Sequence, residues 1–258
     1  MGSRIIQLQS LERLLDIMDE LREKCPWDRK QAFEPLRHLT IEETYELGDA
    51  ILENNLDEIK NELGDLLLHI FFYSKIGSEN KAFDIADVAN QIADKLIRRH
   101  PHIYSETNVE DADQVVTNWE DIKLKEGKKG VLEGVPNNLP ALVKAYRIQE
   151  KVSAVGFDWN QKEAVLEKVK EEFDELIIEI DTGDSKKMDE EFGDLIFSLV
   201  NYARFLKLNP ENALERTNKK FIRRFNYIED KAKKTKRKVS ELSIKEMEIL
   251  WQEAKKHE

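Results

Sequence analysis

The chain has 258 residues, 40% of them hydrophobic and 36% charged, with a net charge of −11. That length holds one large domain or two ordinary ones, and the composition excludes a disordered chain. The charge argues against nucleic acid as a partner and against unaided binding of a free triphosphate, so a phosphate ligand here requires a cation between itself and the protein.

The first residues, MGSRIIQLQSLERL, contain no apolar run long enough for a signal peptide or a membrane span, so no membrane partner is expected. The single cysteine, Cys25, rules out an internal disulfide and suits a cytoplasmic setting. Leu8, Leu11, Leu14, Leu15 and Met18 recur at helical spacing and predict a first helix. Trp27 reads as core. Further helices are predicted near 34–54, 57–76, 84–99 and 110–126. The Gly- and Pro-containing stretch 126–140, EGKKGVLEGVPNNLP, breaks the pattern and reads as a linker. Helical spacing resumes near 140–153, 161–181, 184–207, 210–234 and 242–256. With no alternating strand pattern, the fold class is all-α: an N-terminal helical domain over 1–126, a linker over 127–139 and a C-terminal helical domain over 140–258.

The two halves repeat. Glu42-Glu43-Thr44-Tyr45-Glu46 is followed by Glu62-Leu63-Gly64-Asp65; Glu171-Glu172-Phe173-Asp174-Glu175 is followed by Glu191-Phe192-Gly193-Asp194. Glu46 stands as far from Glu62 as Glu175 does from Glu191. Lys95-Leu96-Ile97-Arg98-Arg99 is answered by Lys220-Phe221-Ile222-Arg223-Arg224, and Trp119-Glu120-Asp121-Ile122-Lys123 by Trp251-Gln252-Glu253-Ala254-Lys255. Four landmarks in one order point to a duplicated domain.

Residues three or four apart share a helix face. Glu43 and Glu46 therefore point together, as do Glu62 and Asp65. Asn54-Asn55 predicts a turn between their helices, with Asp57 as N-cap, so an antiparallel hairpin gathers the four carboxylates. Like charges at that spacing cost roughly 0.2–0.5 kcal/mol per exposed pair, and more when packed, unless a cation sits among them. An all-oxygen set without Cys suits Mg²⁺, or Mn²⁺, better than zinc. Such a metal bridges phosphate oxygens and acidifies a bound water. Gly64 and Gly193, each just before the Asp, cost about 1 kcal/mol inside a helix relative to Ala, which suggests close approach of a backbone or ligand. His69 lies on the Asp65 face and reads as a helix histidine satisfied locally. The basic run 231–238 reads as a solvated helix end.

The Glu-Glu-x-x-Glu…Glu-x-x-Asp pattern, with Cys25-Pro26-Trp27-Asp28 and Arg98-Arg99-His100-Pro101-His102, resembles the MazG-type nucleoside triphosphate pyrophosphohydrolases over nearly the whole chain. The acidic motif alone is also shared by dimeric dUTPases and phosphoribosyl-ATP pyrophosphatases. The resemblance implies tandem helical bundles in a homodimer. It implies Mg²⁺-dependent hydrolysis of NTP or dNTP between the α and β phosphates, giving a nucleoside monophosphate and pyrophosphate across several bases. It implies metal held by Glu172, Glu175, Glu191 and Asp194, and by Glu43, Glu46, Glu62 and Asp65. Lys187, Lys220, Arg224 and Trp251 match nucleotide-contacting positions, with Lys95, Arg98, Arg99 and Trp119 as first-domain counterparts. Glu58 stands where Lys187 does in the second half, so the two copies differ. Lys220 and Arg224 are expected to steady developing charge, and Glu42 or Glu171 to orient the attacking water. Two alternatives remain at this point: a narrower dUTPase-like enzyme, and a nucleotide-sensing module without turnover.

Overall fold

The computed structural model describes residues 3–105 and 130–257, together with residues 109, 111, 114, 115, 118, 119, 122 and 126. Among the described residues there is no strand. Ten α-helices lie among the described residues: α1 (Arg4–Lys24), α2 (Phe33–Leu52), α3 (Leu56–Glu79), α4 (Ile85–Arg99), α5 (Pro101–Tyr104), α6 (Ala141–Ser153), α7 (Lys162–Thr182), α8 (Ser185–Phe205), α9 (Pro210–Lys234) and α10 (Ile244–Lys256). The chain divides into two compact units, Met1–Glu110 and Asp111–Glu258. Most of the expected helix 110–126 and linker residues 127–129 lie outside the described residues.

Local chemistry sets the helix starts. Asn55, not the expected Asp57, caps α3 by accepting from the Glu58 backbone N–H at 3.3 Å; Asp57 falls in the first turn, where its charge meets the positive end of the helix. Asp184 caps α8. Asn209 caps α9, whose first residue is Pro210. Ser243 and Glu246 form a capping box on α10.

In the first unit α2 and α3 form the expected hairpin, and α1 packs on α3. Met18, Leu36, Phe72 and Ile76 make the core, with Leu39, Leu68 and Tyr73 against it. Burial on α1 is confined to its second half: Met18 is buried, whereas Leu8 and Leu11 are exposed. In the second unit α7 and α8 pair as the matching hairpin, with α6 and α9 packed on it and α10 on α9. Val165, Leu176, Val200 and Ile228 are buried there. Both hairpins turn through a left-handed residue at the same register, Asn54 (φ 53°) and Gly183 (φ 76°), the two residue types that adopt it at least cost.

Each unit fastens the loop that precedes its hairpin with an arginine. Arg22 on α1 pairs with Glu79 on α3 at 2.5 Å and donates to the carbonyls of Asp28 and Gln31. Arg204 on α8 pairs with Asp158 at 2.6 Å, and Ser153 donates to the same carboxylate. Trp27 is 56% exposed, contrary to its reading as core: the arginine holds the loop by its backbone and leaves the indole outside.

Candidate functional site

The hairpins bring the acidic residues together in both units. Glu43, Glu46 and Glu62 offer carboxylate oxygens that all lie within 4.8 Å of one another, and so do Glu172, Glu175 and Glu191. Asp65 and Asp194 fall outside these triples but within electrostatic reach. Partial burial, then Asp65, Glu46 and Glu62, raise the Glu43 carboxyl above its ordinary range. Partial burial, then Glu46 and Asp65, raise Glu62. Partial burial, then Glu175, Glu172 and Asp194, raise Glu191. One oxygen of Glu62 is buried with no donor among the described residues reaching it. Crowded carboxylates that resist ionising and a buried oxygen without a donor are what a hard divalent cation would relieve, so the residues fit a metal of the Mg²⁺ type.

The second cluster contains a cation that the sequence reading did not pick out. Lys168 sits 2.7 Å from Glu172 and 2.9 Å from Glu171, and these carboxylates raise its pKa. The signal was present: Lys168 lies four residues before Glu172, one turn away. At the matching position of α2 stands Leu39, which packs on the core. The first unit instead has His69, 8% exposed, with its Nδ1 2.8 Å from the Thr40 hydroxyl, which also lies 2.6 Å from the Tyr73 hydroxyl. Burial lowers the His69 pKa and Asp65 opposes that shift, which agrees with a locally satisfied histidine.

Gly64 and Gly193 have open space where a Cβ would be: beyond the chain neighbours and the helix's own backbone, no atom lies within 4 Å. Close backbone approach within the chain is therefore not what either glycine serves.

Other expected residues divide into groups. Glu42 and Glu171 are exposed beside their clusters. Lys187, in the first turn of α8, pairs with Glu179 at 3.4 Å. Lys95 and Arg98 are exposed on α4 and Arg99 is half-buried; Trp119 is also half-buried. Lys220 and Arg224 are half-buried on α9. The Arg224 guanidinium lies 5.3 Å from the Trp251 ring centre, and Phe221 packs on the same ring at 5.1 Å. The basic run 231–238 ends α9, with Lys231 paired to Glu253, Lys233 to Asp230 and Arg237 to Glu246.

A cavity of about 320 Å³ adjoins the second cluster: Glu172, Asp194 and Lys168 belong to its wall, with Val165, Phe157 and Trp159 among its apolar lining. Two further polar members, Gln149 on α6 and Asn201 on α8, were not singled out from the sequence: Gln149 comes before the acidic repeat with no spacing to tie it there, and Asn201, beyond Asp194 on the same helix, carries no charge to mark it.

The chain matches the MazG nucleotide pyrophosphohydrolase domain model twice, at residues 31–104 and 160–228, so each match contains one acidic cluster. It is 39% identical over 260 residues to the nucleoside triphosphate pyrophosphohydrolase of Escherichia coli, covering 97% of this chain and 99% of that protein. It is 45% identical over 249 residues to the nucleoside triphosphate pyrophosphohydrolase/pyrophosphatase MazG of Thermotoga maritima, covering 95% of each. It is 44% identical over 248 residues to the uncharacterized protein YabN of Bacillus subtilis, covering 94% of this chain and 51% of that one. With two domain matches, each carrying its own carboxylate triple, the chain belongs to the MazG nucleotide pyrophosphohydrolase family.

Proposed function

We propose that this chain is a Mg²⁺-dependent nucleoside triphosphate pyrophosphohydrolase that cleaves between the α and β phosphates, releasing a nucleoside monophosphate and pyrophosphate. The observation that carries the reading is the carboxylate triple within 4.8 Å on a helical hairpin, present in both units. The names of the full-length relatives support it.

Glu172, Glu175, Glu191 and Asp194 would hold the metal in the second unit, as would Glu43, Glu46, Glu62 and Asp65 in the first. When bound, Mg²⁺ (or Mn²⁺) offsets triphosphate charge and acidifies water. The chain supplies the rest. Lys168 offsets carboxylate and phosphate charge from inside the second cluster. Glu171 and Glu42, exposed beside their clusters, are assigned the role of accepting a hydrogen bond from the attacking water and orienting it toward phosphorus. Lys220 and Arg224 grip phosphate oxygens, with Trp251 keeping Arg224 in place, and steady the charge that develops there. Lys187 extends the basic set, as do Lys95, Arg98, Arg99 and Trp119 in the first unit.

The proposal includes a domain division with the linker at 127–139, action in the cytoplasm and a homodimer. Support for the homodimer is an uncovered apolar row repeated at equal register: Leu63 and Ile70 on α3, Phe192, Ile196 and Leu199 on α8, all exposed.

The test is product identity. Full-length protein with Mg²⁺ and a panel of triphosphates should release pyrophosphate and monophosphate from several bases, and a variant carrying Glu43→Gln and Glu172→Gln should lose about 10²-fold or more in kcat, since weaker outer-shell changes at metal sites already cost 10–100-fold. Orthophosphate as the product rejects the cleavage site; wild-type turnover in the double variant rejects the clusters as the centre.

A further inference from the structure

The two clusters share their carboxylates but not their counter-charges. In the second unit each helix of the hairpin carries a lysine one turn before a member of the triple: Lys168 before Glu172 on α7, and Lys187 before Glu191 on α8. Lys168 Nζ lies 2.7 Å from Glu172 and 2.9 Å from Glu171. Glu172 is 7% exposed, so this ammonium is held against a buried carboxylate, where salt and water screen it less than at an open surface. Lys187 pairs with Glu179 at 3.4 Å.

The first unit has neither lysine. Leu39 stands one turn before Glu43 and packs on the core. Glu58 stands one turn before Glu62 and adds its own negative charge there. Lys60 pairs with Asp57 at 3.2 Å instead, and among the described residues no ion pair involves Glu43, Glu46, Glu62 or Asp65. The charges acting on Glu43 are those of Asp65, Glu46, Glu62 and Glu42, and one buried oxygen of Glu62 has no donor among the described residues. This cluster presents its full negative charge to an entering cation. The second cluster must share Glu172 with an ammonium that is already in place.

We propose that the two clusters differ in their affinity for a free divalent cation, the first binding it tightly without nucleotide and the second more weakly, and that Lys168 sets the difference; this rests on the metal reading of the clusters. The repulsion between a metal ion and a lysine a few ångströms away falls off slowly where burial limits screening. The Lys168 side chain is 35% exposed, which discounts that repulsion and leaves an expected difference of about tenfold or more. A charge-assisted hydrogen bond on Glu172 adds to it, because that bond must be given up or shared before the carboxylate ligates a metal. The first unit is therefore filled first as free metal becomes available. The duplicated acidic motif has become two sites with one ligand chemistry and different thresholds.

The experiment titrates Mn²⁺ into the full-length, nucleotide-free protein and reads the free ion by electron paramagnetic resonance. Wild type should bind one Mn²⁺ per chain tightly and a second about tenfold or more weakly. Glu46→Gln should weaken the tight site and Glu175→Gln the weak one. Lys168→Met should tighten the second site to within about threefold of the first. Two equal sites in wild type overturn the proposal, as does loss of the tight site in Glu175→Gln, or a Lys168→Met protein whose sites stay as far apart as in wild type. If Lys168→Met does not fold, the wild-type titration and the two glutamine variants decide. Equal sites reject only the difference between the clusters, whereas no Mn²⁺ bound at either cluster rejects the metal reading itself.

Discussion

Glu246 shows how one carboxylate ties a local structure to pH. It accepts from Arg237 at 2.7 Å and caps Ser243 through both backbone and hydroxyl. Arg237, then the Ser243 backbone and hydroxyl, hold its pKa at about 2, below the usual 4.5. A carboxylate depressed in the folded state stabilises it above the unfolded pKa, and that stabilisation is lost as pH falls through the folded value. The stability gap between wild type and Glu246→Gln should therefore be full at neutral pH and narrow as pH falls from 4.5 toward 2. Urea unfolding at a series of pH values measures it; a gap constant over that range rejects the Arg237 pairing as its source. Lys168 is a residue-scale feature of another kind, a permanent cation beside Glu172 where the first unit has Leu39. It was readable from spacing, since one helical turn separates it from the acidic motif, but a sequence with so many Lys–Glu neighbours gives no reason to prefer this pair. Gln149 was not readable at all, because only tertiary packing brings α6 against α8.

The hairpin was the most legible element. Equal spacing in the two halves, with Gly before each Asp, placed both carboxylate pairs opposite one another before any coordinates. The cap was misplaced by two residues, since Asn55 and Asp57 both suit an N-cap and only backbone geometry decides between them. Two helix glycines now call for opposite expectations. Gly77 is sterically required: a Cβ there would lie 2.7 Å from the Phe83 ring and 2.8 Å from its carbonyl oxygen. Gly77→Ala should destabilise by about 1–3 kcal/mol. Gly193 has open space around it, so Gly193→Ala should stabilise the helix by about 1 kcal/mol while lowering kcat/KM. Thermal melts read alongside turnover test both. A Gly193→Ala protein that melts higher and turns over like wild type would leave this glycine without a role in the site.

At the scale of the whole molecule, the net charge of −11 adds to the two carboxylate clusters, so the proposed cation would offset repulsion of a triphosphate by the whole chain as well as by the site. The repeated apolar row is global too. Phe192→Asp combined with Leu199→Asp should shift the protein from dimer to monomer in sedimentation equilibrium; an unchanged mass rejects that row as the interface. The sequence revealed the duplication and one divergence of its copies, Glu58 against Lys187, but not the rest, because that divergence lies in which side chains fill a cavity and which bonds fasten a loop. Arg22 reaches from α1 to grip loop carbonyls and Glu79, while Arg204 reaches from α8 to grip the Asp158 carboxylate. The two halves are thus related as descendants and are no longer spare parts for each other. Residues 25–31 form a loop that an arginine on α1 grips through the carbonyls of Asp28 and Gln31, whereas Arg204 on α8 is placed to grip a carboxylate, so a chimera that moves one loop into the other's place must exchange loop and arginine together.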